Sequence, residues 1–317
     1  MTKTMLSSRD LIHSTLAGTP PERLPMGELI IDDALVRELV GLDFDEEIPL
    51  PAKKALLERW GHDLVSVSFS HGWGALTQPD FMDSLARVTY WANHSDLFIF
   101  ALIDGPFSLA ARAWSWEEAL TRFSGQDAEL EAFLADAIID TGDLFRTLAD
   151  LGANGVIIGD DIAYRRGPYI NPEHLRQSYF PFLTLMTGMA QDMGLGVMFH
   201  SDGNLWPVWN DILRAGVDGV QCLDAYSAMS LELARQRSDD AFCLWGNLDL
   251  GWLMRLPARE EIRTHLDEKL REVRGTPFIF GTSSGLSAGL SLPHLDALYD
   301  TAQKISWRPT PDATDRE

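Results

Sequence analysis

Short apolar runs alternate along this chain with stretches of helical spacing, and most runs close on glycine or on an acid, histidine, asparagine or serine. Ser7 to Asp10 followed by Leu11, Ile12 and Leu16 predicts a capped helix that ends at Gly18 and is stopped by Pro20-Pro21. Residues 24–31 form a first strand candidate containing Glu28, and Asp32-Asp33 begins a helix through Leu39. Residues 52–60 are helical. Residues 64–70 then alternate as a strand does and run into His71-Gly72-Trp73. A third strand, 97–103, ends in Asp104-Gly-Pro-Phe107; a long helical region, 116–151, breaks near Ser124-Gly125. A fourth strand, 152–159, ends in Asp160-Asp161. Asn171-Pro172-Glu173 supplies an N-cap and first-turn proline to a helix carrying Leu175, Phe180, Leu183 and Met186, which Pro181 should kink. Strands at 194–200, 216–224, 242–249 and 277–285, with helices at 206–213 and 293–305, complete the pattern.

Eight apolar strands alternating with helices predict an α/β chain folded as a (β/α)8 barrel, or TIM barrel, with extra N-terminal helices. The competing doubly wound sheet would gather its ligand groups near one switch point, whereas here polar residues close strands from the first to the eighth. No sequence repeat or linker divides the 317 residues, so one domain is expected over 1–317, with a helical extension at 1–23 and a polar tail at 308–317. The 26 Lys and Arg against 47 Asp and Glu give a net charge of -21, which argues against nucleic acid or an anionic membrane as partner. Cys222 and Cys243 lie inside apolar runs, the setting of buried thiols rather than of a disulfide framework. With a polar amino end and no apolar run of membrane length, a cytoplasmic protein is expected.

The chemistry concentrates at Gly194 to Asn204. A period-2 strand puts His200 and Asp202 on one face at its C-terminal end, where they can chelate zinc or move a proton; the plain alternative is a hydrogen-bonded pair fixing the mouth. Asp160 and Asp161, with Tyr164, Arg165 and Arg166, form a second constellation, for substrate binding or for a loop salt bridge. Asp104 either takes part in catalysis or caps the next helix. Glu28 is a carboxylate too costly to bury unpaired, hence a metal ligand or a hydrogen-bond partner. His71, Asn204, Gln221, Asp224, Asn247, Asp249 and Ser283 add polar groups to the same rim. The 281–285 turn offers N–H groups to a phosphate, and Trp73, Phe107, Trp114, Trp206 and Trp209 are either a flat-ligand pocket or core. The candidate set is therefore His200, Asp202, Asp160 and Asp104 for catalysis, Tyr164, Arg165, Asp161, Asn204, Asp224, Ser283 and His71 for substrate, and His200, Asp202 and Glu28 for a metal.

Three stretches in this order and spacing resemble the uroporphyrinogen decarboxylase superfamily over nearly the whole chain. They are Ile103 to Leu109; Gly159 through Arg166 to Asn171-Pro-Glu and Tyr179-Phe-Pro-Phe182; and His200 to Asn204 with Gly216 to Gly219. The resemblance implies the same barrel and two activities. True decarboxylases hold the porphyrinogen carboxylates with arginines of an amino-terminal Arg-Gln-Ala-Gly-Arg segment; the matching stretch here, Leu24 to Ile31, has neither arginine. The other branch moves methyl groups to or from corrinoid proteins and binds zinc through His-x-Cys and a later Cys. This chain keeps His200 but carries Asp202 and Ser283-Ser284 at the cysteine places, leaving a harder site of oxygen and imidazole ligands or none. A methyltransferase acting on a small methylated substrate, with a corrinoid partner and with zinc as the cofactor if a metal is held, is thus expected ahead of a decarboxylase or a non-catalytic binding barrel. Acids at the strand ends favour a neutral or cationic methyl donor over a polycarboxylate.

Overall fold

A computed structural model describes residues 6–71, 80–125 and 127–307. Its strands are β1 Leu64–Ser68, β2 Phe98–Asp104, β3 Gly155–Gly159, β4 Ala163–Tyr164, β5 Gly167–Pro168, β6 Gly196–His200, β7 Gly219–Cys222, β8 Cys243–Leu248 and β9 Phe278–Thr282. The first helices are α1 Ser8–Leu16, α2 Asp33–Val40, α3 Leu50–Trp60, α4 Phe81–His94, α5 Pro106–Ala113, α6 Trp116–Phe123 and α7 Ala128–Leu151. They are followed by α8 Pro172–Ser178, α9 Phe180–Asp192, α10 Trp209–Arg214, α11 Leu231–Gln236, α12 Leu250–Leu253, α13 Arg259–Leu270 and α14 Leu292–Gln303.

Seven strands form one parallel sheet in the order β1-β2-β3-β6-β7-β8-β9, each beside its neighbour in the chain, as helical crossovers require. Strand alternation divides the side chains between two cores. In β2, Ile99, Ala101 and Ile103 pack outward under the helices, while Phe98, Phe100 and Leu102 join an inner cluster with Leu64, Ile157, Met198, Trp245 and Ile279. The rings of Phe100 and Trp245 lie 5.5 Å apart although β2 and β8 are second and sixth in the sheet, so the sheet is curled.

The expected first strand, 24–31, is not one. Its segment makes single bridges, Met26 to Phe280 and Ile31 to Leu286, along the last strand. A ladder cannot propagate there because Pro25 has no N–H and the Met26 N–H goes to the Asp63 carboxylate at 3.1 Å. The eight expected strands are thus seven, plus a segment bridged to β9 and bonded through Met26 O to the N–H of Asp63 just before β1. The amino-terminal helix α1 sends Ile12 and Leu16 into the inner cluster at the end where the strands begin. Pro181, expected to kink one helix, starts a second: α8 stops at Ser178, and Pro181 sits in the first turn of α9, where a missing N–H costs nothing. Cys222 and Cys243 are free and buried. Among the described residues no helix is long and apolar enough to cross a membrane.

Candidate active site

The parallel register sets Asp104, Gly159, His200 and Gln221 in a row across β2, β3, β6 and β7 at their C-terminal ends. His200 Nδ1 lies 2.5 Å from Gln221 Oε1, and its Nε2 lies 3.7 Å from Asp161 Oδ1. Asp161 Oδ1 also accepts the Asp202 N–H at 2.8 Å, which fastens the loop after β3 to the loop after β6. One ligand atom each from Asp161, His200 and Asp202 lie within 4.8 Å of one another. Burial pushes the Asp202 carboxyl above its ordinary range; the His200 charge opposes this and Asp161 adds to it.

A thiol joins from the next strand, Cys222 donating to Asp202 Oδ1 at 3.0 Å. In a regular strand Gln221 and Cys222 would face opposite sides. Here Cys222 has φ 93° and Leu223 φ 51°, and this left-handed pair at the strand's end breaks the pleat, so both side chains reach the site. Burial first, and Asp202 second, hold the Cys222 thiol well above its ordinary pKa and hence protonated.

A second cluster stands over β1 and β2. Asp104 accepts from Ser70 Oγ at 2.5 Å, from the His71 N–H at 3.1 Å and from Arg112 Nη1 at 3.3 Å, while Arg112 Nη1 lies 2.7 Å from His71 Nδ1. A cavity of about 650 Å³ between Ser66, Ser68, Ser70, Leu102 and Ser284 opens beside it. A larger one, about 840 Å³, lies at the opposite end against Arg23, His62 and Asp63.

Residues 79–305 match the uroporphyrinogen decarboxylase (URO-D) family. The chain belongs to the URO-D family. Among solved structures, a methyltransferase from Methanosarcina mazei superposes with a TM-score of 0.76 at 17% identity, over 95% of this chain and 98% of that one. D-psicose 3-epimerase from Clostridium cellulolyticum H10, solved with D-tagatose, superposes with a TM-score of 0.50 at 11% identity, over 81% and 94%. At these identities the likeness is one of fold. No curated protein matches the chain in sequence.

The other expected residues of this URO-D chain fall into distinct places. Glu28, expected as a metal ligand, is outside the Asp161 group. It is buried and accepts from the Thr282 N–H at 3.0 Å, from Thr282 Oγ1 at 2.5 Å and from the Tyr299 hydroxyl at 2.6 Å. Of its two expected roles the hydrogen bonds show that of hydrogen-bond partner, and the carboxylate nearest His200 Nε2 is that of Asp161. Burial lifts Glu28 to about 7, against the pull of those donors. Asp160 likewise turns away from its neighbour Asp161. Its buried carboxylate accepts the Phe107 N–H at 2.9 Å, the Ser108 N–H at 2.7 Å and the Tyr179 hydroxyl at 3.0 Å. It is Asp160, not Asp104, that caps α5, and burial lifts it to about 7.

Asn204 and Asp224 serve their own turns, accepting from the Trp206 N–H at 3.1 Å and the Tyr226 N–H at 2.9 Å. The Ser283 N–H bonds Leu248 O at 2.9 Å and the Thr282 N–H is held by Glu28, so two N–H groups of the supposed phosphate turn are already engaged. Tyr164 stacks on Tyr169 at 5.1 Å, and Arg165 lies over the Tyr226 ring at 5.6 Å, all on the rim. Burial first, and the carboxylates of Asp161 and Asp202 after it, raise the Tyr169 phenol above its ordinary pKa. Phe107 and Trp209 are core, and Trp73 lies outside the described residues. The sequence reading takes Gln221 only as one polar group of the rim and Cys222 only as a buried thiol. Gln221 had one readable signal, a lone amide in the buried run Gly219 to Cys222.

Proposed function

We propose that this chain is a cytoplasmic methyltransferase that moves a methyl group between a small methylated substrate and a corrinoid carried by a partner protein, at the mouth of a closed (β/α)8 barrel. The observation that carries the reading is the convergence of Asp161, His200 and Asp202 within 4.8 Å at the strand ends. URO-D family membership and the fold likeness to a methyltransferase support it. One nitrogen and two carboxylates fit a divalent ion such as zinc, which when bound supplies Lewis acidity to a substrate heteroatom. Gln221 bonded to Nδ1 would orient the His200 ring, leaving Nε2 as the atom that would hold that ion or exchange a proton with the leaving group. Asp161 and Asp202 oppose entry of a polycarboxylate and favour a neutral or cationic donor.

The test is an anaerobic assay with two arms. Uroporphyrinogen is expected to yield no coproporphyrinogen, whereas methylated amines or ethers supplied with a reduced corrinoid protein are expected to produce the methyl-cobalt spectrum. Coproporphyrinogen formed at an enzymatic rate would reverse the reading in favour of decarboxylation.

A further inference from the structure

The two histidines of the rim are bonded in ways that admit only one neutral form each. Gln221 is fully buried, and its Nε2 lies 3.1 Å from Ser283 O and 3.4 Å from Thr282 O. Carbonyls only accept, so the amide N–H groups face them and Oε1 is left facing His200 Nδ1 at 2.5 Å. That nitrogen must therefore carry the proton. At His71 the logic inverts, because the atom 2.7 Å from Nδ1 is Arg112 Nη1, which can only donate. His71 Nδ1 is then a lone pair and its proton sits on Nε2. Asp104 Oδ2, 3.3 Å from both His71 Nδ1 and Arg112 Nη1, is served by the guanidinium.

We propose that Gln221 and Arg112 are positioning residues that hold His200 and His71 in opposite neutral tautomers, so that one ring offers the site a lone pair and the other an N–H. The His200 lone pair on Nε2 faces Asp161 Oδ1 across 3.7 Å, too far for a hydrogen bond and disfavoured for two electron-rich atoms unless a cation lies between them. Next to Ser70, which lines the 650 Å³ cavity, the 33% exposed side chain of His71 carries its N–H on Nε2. The group it receives is a hydrogen-bond acceptor such as an ether, carbonyl or carboxylate oxygen, and not a cation. The tautomers stand on hydrogen bonds of the resting protein; the use made of them rests on the methyl-transfer reading.

The experiment is long-range ¹H–¹⁵N correlation of the histidine rings in the full chain. Spectra are recorded with chelator at a pH where the rings are neutral, and His71 and His200 are assigned through their single asparagine variants. The expected result is a protonated Nδ1 for His200 and a protonated Nε2 for His71. Added zinc is expected to shift His200 Nε2. Gln221→Leu is expected to release His200 towards the Nε2–H form and to weaken zinc binding about 10- to 100-fold, while Arg112→Leu changes the His71 signals and spares those of His200. A wild-type spectrum with the proton on His200 Nε2, or with both rings in the same form, would overturn the proposal. It does so whether or not the variants fold and whatever the methyl-transfer assay returns.

Discussion

A carboxylate buried without a cation must be held by donated hydrogen bonds, and Glu28 and Asp160 each receive at least three. From the sequence one is an acid inside a strand candidate and the other an acid at a strand end; only the structure separates them from Asp161 and Asp202, which lie beside His200. Glu28 rises from the ordinary 4.5 to about 7 on folding. A group raised in this way stabilises the fold below its unfolded pKa, and that contribution is lost as pH rises through the folded value. Thermal stability is thus expected to fall between about pH 5 and 8, by roughly 3 kcal/mol at most from this residue. Glu28→Gln should flatten that part of the profile, and an unchanged pH slope in the variant would show that Glu28 is not the group responsible. At the same scale, protein purified without chelator is expected to hold about one zinc per chain. His200→Ala and Asp161→Ala should lose it and Glu28→Gln should keep it, as read by elemental analysis. Stoichiometric zinc surviving His200→Ala would remove the metal from this site.

Elements with a strong period were legible, and those set by distant contacts were not. The runs that became β2, β3, β6, β8 and β9 were readable because buried strands are continuously apolar. α13 could also have been read, since Ile262, Leu266 and Leu270 recur at i, i+4 and i+8 in an otherwise charged segment. The hairpin β4–β5 could not, because it has two residues a side and no hydrophobic pattern. Its position depends on Gly203, whose φ of 91° is left-handed and whose added Cβ would stand 2.5 Å from the carbonyl carbon of Ala163. Gly203→Ala is expected to push β4 from the loop that follows His200 and to destabilise the fold by about 1–3 kcal/mol. The melting temperature would register this; an unchanged value would mean that the hairpin moves freely on the loop.

On the scale of the whole molecule, the curl of the sheet creates an inner core that α1 closes. Ile12 is fully buried within it, and the Cδ1 of Leu16 lies 2.7 Å from where a side chain on Gly196 would begin. Ile12→Ala should therefore cost about 2–5 kcal/mol in denaturant unfolding, as for a core residue. A cost under about 0.5 kcal/mol, usual for a surface position, would show that α1 does not close the inner core.

By itself the sequence determined the alternation of strands and helices, the α/β class, the burial of both cysteines and the end of the molecule where the polar groups collect. Each follows from periodicities and transfer free energies that act over a few residues. The tertiary structure alone decided that residues 24–31 bridge rather than pair as a strand, because that depends on where Asp63 directs its carboxylate. It also decided which of two adjacent aspartates faces His200, and that Gln221 and Cys222 both point inward. Such outcomes hang on hydrogen bonds between residues 20 to 53 positions apart and on a local break in the pleat, neither of which has a period for a sequence to display.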